Sequence, residues 1–444
     1  MYRLWVALAP VLLLASSPAP APRLVTINVI ARNPDGSPLT GLKKEDFQVF
    51  DNGQPRQIRE FFPRNRAPLP AAEALLEDSF SNVPAEGTPS SVTIVLLDDM
   101  NDAAGLQSDA RPRGMGMLRE LQPGDGVAIY YLGDGLHVLG SYQPKPPAAH
   151  LVAGCEWCRW GFIPFDDMRR MDSEFYDDEA IKATFRAVAY IANNLAALPG
   201  RKNLVWMSSA FPEHPGFAQR TWAENLLASL NNVDVAVYPV PRKALPSNVD
   251  GLRKLADLTG GRAFLNPADL ETAMHTAVQD SASTYTLAFY APRQKPGNAM
   301  HSLKVTLAGH PSAALHYRTG YLDVQTDNPK LSAAALADAV WSPLEANGIG
   351  LRAEITQTGA ALDLNLYIDP GAQGKLDLVL VQLDARGKQT AGLADTSPPL
   401  PLYQHKLTLS PKSVALRMIV RDPATGAMGS VTVPLAPLSA AFTR

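Results

Sequence analysis

The sequence predicts an α/β fold: a doubly wound, mainly parallel sheet flanked by an N-terminal β module and a C-terminal β-sandwich. Three observations carry this. Between Ser91 and Pro292, short apolar runs alternate with amphipathic stretches, the rhythm of βαβ units. Within that region Val92-Thr-Ile-Val-Leu-Leu-Asp98 is apolar without alternation until it meets a carboxylate cluster, Asp98, Asp99 and Asp102. Such a run reads as a strand buried on both faces of a parallel sheet, its carboxyl end delivering the carboxylates. Both flanks return to a period of two, broken by turn signals.

Met1-Tyr-Arg3, the apolar stretch Leu4 to Ala15 and the small residues that follow read as a signal peptide over 1–21, too short to span a bilayer comfortably. Export to the periplasm, the cell surface or the medium is therefore expected. The β module follows at 24–62, where Val25, Ile27, Val29 and Ala31 alternate with other residues and Asn33-Pro-Asp-Gly36 turns. Asp51-Asn-Gly53, between Phe47-Gln-Val-Phe50 and Ile58-Arg-Glu-Phe-Phe62, is a hairpin signal because Asn and Gly tolerate positive φ. Residues 63–90 form a polar, Pro/Ala-rich linker without periodicity.

The α/β domain is expected over 91–322. After the strand ending at Asp98 come a helix closing near Leu121, strands at Val127–Leu132 and Leu136–Leu139, and a helix from Ala180 to Leu198. The last has apolar residues at Ile181, Phe185, Val188, Ile191, Leu195 and Leu198, in steps of three and four. Asn203–Met207 and Val233–Val240 read as strands, and Trp222–Leu230, Leu252–Leu258 and Ala268–Gln279 as helices. Tyr285–Tyr290 is expected as the final strand, with Ser302–Leu307 and Leu315–Arg318 as a pair closing the domain. Five further strand-like runs between Leu362 and Val433 predict a sandwich over 340–437.

Composition excludes some functions. The formal net charge is −3 and no Lys/Arg run exceeds two residues, which argues against nucleic acid or an anionic membrane as partner. No segment after the signal has the length and apolarity of a membrane-spanning helix. The two cysteines, Cys155 and Cys158, sit in Gly-Cys-Glu-Trp-Cys-Arg-Trp. In an oxidising compartment they read as a local disulfide tightening a loop, ahead of a redox pair or a zinc site, which would need two more ligands.

Leu121-Gln-Pro-Gly-Asp-Gly-Val-Ala-Ile-Tyr130, Val233-Asp-Val-Ala-Val-Tyr-Pro239 and Leu255-Ala-Asp-Leu-Thr-Gly-Gly-Arg-Ala-Phe264, together with the strand ending at Asp98, resemble the von Willebrand factor type A fold. More narrowly, Pro199-Gly-Arg-Lys-Asn-Leu-Val-Trp-Met-Ser208, Gly41-Leu-Lys-Lys-Glu-Asp-Phe47 and Arg421-Asp-Pro-Ala-Thr-Gly-Ala-Met-Gly-Ser-Val431 resemble the exported "VWFA-related" proteins of acidobacterial type. The resemblance implies a metal-ion-dependent adhesion site holding Mg²⁺ or Mn²⁺ through Asp-x-Ser-x-Ser, a Thr from a second loop and an Asp from a third. Hard oxygen ligands suit such a cation, with one position left for a partner's carboxylate.

This chain departs from that pattern. The first motif aligns as Asp98, Met100, Asp102, and a thioether is a poor Mg²⁺ ligand. The third-loop Asp falls near Ser209, and Thr184, the candidate second-loop ligand, lies within a helix pattern. One reading is an altered metal site of Asp98, Asp102 and Ser209, completed by water, with Asp99, Asn101 and Ser208 nearby on the partner-binding edge. The other is a metal-free fold in which Asp98 caps the following helix, and the two departures favour it. No His-Glu-x-x-His or Gly-x-Ser-x-Gly motif occurs. The sequence therefore predicts a non-enzymatic protein-binding or scaffolding protein with a degenerate adhesion site. The alternatives are a metal-dependent cell-envelope hydrolase and a purely structural, self-associating envelope protein.

Overall fold

In the computed structural model, the residues described are 23–63, 79–84, 91–100, 126–133, 135–140, 173–198, 201–208, 217–242, 249–281, 284–291, 299–323, 329–369, 375–397 and 401–436. Among them the chain runs through β1 (Arg23–Arg32), β2 (Phe47–Asp51), β3 (Gln54–Arg56), β4 (Ile58–Phe62), β5 (Ser79–Ser81), β6 (Val92–Asp98), β7 (Val127–Leu132) and β8 (Leu136–Gly140). Then come α1 (Ser173–Asn194), β9 (Lys202–Ser208), α2 (Phe217–Asn232), β10 (Val235–Pro241), α3 (Val249–Thr259) and α4 (Leu270–Ser281). Strands β11 (Thr284–Ala291), β12 (Ala299–Leu307), β13 (Ala314–His316) and β14 (Gly320–Asp323) follow, then α5 (Pro329–Val340). The C-terminal strands are β15 (Leu351–Thr358), β16 (Ala361–Ile368), β17 (Leu376–Leu383), β18 (Gln389–Ser397), β19 (Leu402–Thr408), β20 (Ala415–Arg421) and β21 (Met428–Pro434).

These elements correct the predicted fold class. The chain is mostly β, not a doubly wound, mainly parallel α/β protein. Among the described residues four of the five sheets are four-stranded and antiparallel, and parallel pairing is confined to one sheet of order β10-β9-β6-β7-β8, where β8 itself is antiparallel. The physical reason is that a strand–helix rhythm tells which elements follow one another and not which ones pair. Strand β11, expected as the last strand of the parallel sheet, instead lies antiparallel between β1 and β4.

The segments on either side of the parallel sheet are thus joined to each other. One sheet has the order β13-β1-β11-β4 and another β14-β12-β2-β3. They share a core in which Val25, Ile27 and Val29 of β1 meet Phe47 and Val49 of β2, Leu287 and Phe289 of β11, and Leu303 and Val305 of β12. Alternation along β1 and β2 dictates this, since every second side chain points inward. Strands β12 and β13, expected to pair with each other, go to different sheets. The Asn52-Gly53 turn forms with both residues at positive φ, but it joins β2 to β3, while β4 turns away to the other sheet.

The parallel sheet is buried on both faces. Ile94, Leu96, Leu204, Trp206 and Val237 face α1, α2 and α3, while Val95, Leu97, Val205, Tyr238 and Val240 face α4. Gly261, just past α3, has no room for a side chain, because a Cβ there would lie 1.8 Å from the Val237 carbonyl oxygen. In the C-terminal region, the sheets β19-β16-β15-β5 and β18-β17-β20-β21 enclose a common core from Leu351 to Leu435. Strand β5, from the stretch read as linker, pairs with β15. Helix α5 covers the outer face of β17 and β20 through Ala339 and Val340. None of the helices among the described residues is long and apolar enough to cross a membrane.

Candidate functional site

Strand β6 is fully buried and pairs in parallel with β7 and β9, so its carboxyl end lies beside theirs. Leu97 is in register with Met207, which brings the next rung, Asp98 and Ser208, side by side. Asp98 is 0% exposed. Its Oδ2 accepts the Ser208 hydroxyl at 2.7 Å and the Trp206 indole N–H at 3.3 Å. Its Oδ1 accepts the Met100 backbone N–H at 3.0 Å. A carboxylate that takes the amide two residues on is the arrangement a capping residue makes. Met100 itself is fully buried and belongs to the core on the α1 face.

Asp99 turns to the next strand but one. Its amide donates to the Leu132 carbonyl at 2.8 Å, and its side chain forms an ion pair with Arg242. Arg242 follows the end of β10, where its amide donates to the Ser208 carbonyl at 3.1 Å. Both side chains are buried, at 1% and 7% exposure. A buried charge is tolerated only when paired, and this pairing supplies that. Three strand ends of one sheet, those of β6, β9 and β10, therefore close over one polar cluster.

Of the residues the sequence singled out, Asp98, Asp99 and Ser208 come together. Asp99 and Ser208, expected on a partner-binding edge, are internal, at 1% and 0% exposure, so neither is presented directly to a partner. Thr184 is a buried residue within α1. Asn101, Asp102, Ser209, Cys155 and Cys158 lie outside the described residues. Sequence reasoning missed Trp206 and Arg242. Trp206 lies on β9, which neighbours β6, and Arg242 lies just past the end of β10, one strand further over; neither position carries a sequence signal of its own, because both roles arise only once the strands align.

These residues do not fit Mg²⁺ or Mn²⁺. Both oxygens of Asp98 already accept N–H or O–H donors, and Asp99 carries a guanidinium at its side. A hard cation needs bare oxygen ligands and is repelled by a fixed positive charge. Among the described residues no group of three or more His, Cys, Asp or Glu side chains gathers to hold a metal.

Two further polar clusters are buried. Asp280 of α4 accepts Arg32 at 3.0 Å, Arg262 at 3.0 Å and the Tyr238 hydroxyl at 2.9 Å. Arg201 completes the cluster by donating to Tyr238 Oη at 2.9 Å and to the Gly260 carbonyl at 2.6 Å. Burial pushes Asp280 towards its neutral form, but Arg262, Arg201 and Arg32 outweigh it and hold the pKa below the ordinary 3.8. Burial pushes the Tyr238 phenol up to about 12. The second cluster is His301, whose Nδ1 lies 2.7 Å from Asp51 Oδ1, with Arg56 on the other oxygen of Asp51. At 1% and 0% exposure, the His301 and Asp51 side chains clasp β12 to β2 inside the sandwich.

No family model matches the chain, and no curated protein matches it. Among solved structures, it is similar to dimeric latent PorU from Porphyromonas gingivalis, at 16% identity with a TM-score of 0.15. That match covers 34% of this chain and 13% of the PorU chain. A likeness at that level carries no argument about fold or function. The von Willebrand factor type A resemblance thus rests on the sequence motifs alone.

Proposed function

We propose that this chain is an exported, non-enzymatic protein-binding or scaffolding protein whose adhesion-type site is degenerate. The observation that carries the reading is the commitment of Asp98 and Asp99 to internal partners: Met100, Trp206 and Ser208 for one, Arg242 for the other. A carboxylate that accepts three hydrogen bonds is a poor general base, because its lone pairs are already engaged. It is well suited to fixing the carboxyl ends of β6 and β9 against each other. Export is supported by the apolar segment Leu4 to Ala15 behind Arg3.

By this reading the partner docks beyond the carboxyl ends of β6 and β9, in the stretches of sequence that hold Asn101 and Phe211. The test is a binding assay with the partner recovered by crosslinking from the native envelope. Alanine at Asn101 and Phe211 should weaken retention severalfold, while alanine at Lys406 on the C-terminal sheet should not. Retention unchanged by the first two sinks the docking edge. A screen of ester, peptide and glycoside substrates addresses the hydrolase alternative, and turnover lost in Asp98→Ala would replace the present reading.

A further inference from the structure

An edge strand leaves half of its backbone N–H and C=O groups outside any ladder, and folded chains blunt such edges against pairing with other chains. Among the described residues most edges here are blunted. Strands β3, β5 and β13 are three residues long, β14 is four and β8 is five. Strand β4 is five residues long and carries Arg59 and Glu60, β10 carries Pro239 and Pro241, and β19 carries Lys406, whose side chain is 86% exposed. The edge of β21 is closed, because the Ser430 amide donates to the Ala346 carbonyl and the Ile349 amide to the Met428 carbonyl. Strand β18 is the exception. It is nine residues long, contains no Pro, Lys or Arg, and pairs in its sheet with β17 alone. We propose that β18 is a self-association edge, which pairs antiparallel with β18 of a second copy of this chain and joins two sheets into one. It involves none of the residues of the docking edge beyond β6 and β9.

The backbone of β18 shows which groups are open. The Leu380 carbonyl oxygen lies 3.6 Å from the place a Cβ on Gly392 would take, so it points from β17 towards β18, where Leu393 is its register partner. Backbone groups alternate between the two sides of an antiparallel strand, so Gly392 and Ala394 turn their N–H and C=O outward. The Thr396 amide, two residues on, is taken by the Asp395 carboxylate at 2.7 Å. Gly392 and Ala394 are exposed and carry nothing beyond Cβ, while Leu393 anchors the strand to the sandwich core. A second copy fits because the strand complements itself. Pairing about a two-fold axis at Leu393 sets Gly392 of each copy opposite Ala394 of the other, and each couple exchanges both of its outward hydrogen bonds. Thr390 then falls opposite Thr396, a favourable hydroxyl pair, and Asp395 opposite Ala391, so like charges never face each other. The two Asp395 carboxylates stand four residues apart along the paired strands, about 14 Å. That exceeds the Debye length of about 8 Å at physiological ionic strength. Each is also held at 2.8 Å by the Tyr403 hydroxyl of its own chain.

The test is sedimentation equilibrium of the purified chain, with hydrogen exchange of the β18 amides followed at the same concentrations. The parent should be dimeric at about 100 μM and monomeric at about 1 μM, as suits a small interface. The Gly392 and Ala394 amides should exchange severalfold more slowly in the dimer. Ala394→Pro removes an outward N–H at an edge, where Pro is tolerated, and should be monomeric at both concentrations. Thr358→Lys, at an exposed position of β15 in the other sheet, should dimerise as the parent does. If Ala394→Pro does not fold, Ala394→Lys combined with Thr396→Lys, which lines the edge with charge, should give the monomer instead. A parent that stays monomeric at about 100 μM would overturn the proposal. So would a dimer that survives either edge variant, or one whose β18 amides exchange as fast as in the monomer.

Discussion

The parallel sheet holds buried carboxylates near both ends, and their partners differ in kind. At the carboxyl end, Asp98 rests on three neutral donors and Asp99 on Arg242, all supplied by β6, β9 and β10 or by residues just beyond their ends. Towards the strand starts, Asp280 is met by Arg32 and Arg262 directly and by Arg201 through Tyr238. Arg32 comes from β1, 248 residues away in sequence, so Asp280 ties the N-terminal sandwich to α4. One cluster shapes a sheet edge and the other joins two parts of the molecule. Buried charge alone therefore does not mark a ligand site; what matters is whether its partners are already inside the chain.

The largest expected effect is at Asp280. Asp280→Ala leaves its arginines without their carboxylate and should cost about 3–5 kcal/mol of unfolding free energy, the range for breaking a buried pair by removing one partner. Denaturant unfolding measures this, and a loss near zero would show that the arginines find other partners. Asp98→Ala should cost less, about 3 kcal/mol, because it orphans neutral donors whose burial is less costly than that of a charge. A larger loss there than at Asp280 would reverse the comparison.

Acid should separate the clusters further. Because the folded-state pKa of Asp280 is depressed, its contribution is present in full above the ordinary carboxylate value and is lost as pH falls through the folded one. The difference in urea midpoint between parent and Asp280→Asn should therefore hold constant from neutral pH and close as pH falls below the carboxylate range. A gap that widens on acidification contradicts the sign. The smallest effect is expected of Ser208→Ala, which removes one hydrogen bond to Asp98 with almost no change in volume and should cost about 1.5 kcal/mol.

Much of the local structure was legible in the sequence. The uninterrupted apolar run of β6, the alternation in β1 and β16 and the Asn52-Gly53 turn each carry their own periodicity or backbone demand. Pairing was not legible, because β11 joins β1 across more than 250 residues and nothing in either strand names the other. Strand β18, Gln-Thr-Ala-Gly-Leu-Ala-Asp-Thr-Ser, escaped notice because its composition is poor in β-branched and aromatic residues; it is held by pairing with β17. At the candidate site, Asp98 was legible from its place at a strand end. Arg242 was not, since its role arises only when β9 and β10 align in parallel.

Whether the Asp99–Arg242 ion pair holds the sheet edge closed is read out by a double-mutant cycle on the two residues. Unfolding free energies of the parent, Asp99→Asn, Arg242→Gln and the double variant give the coupling between the two side chains. The account predicts a coupling of about 2 kcal/mol or more, with the double variant more stable than the sum of the single losses implies. Single losses that simply add would mean that Asp99 and Arg242 do not rely on each other, and would contradict the account.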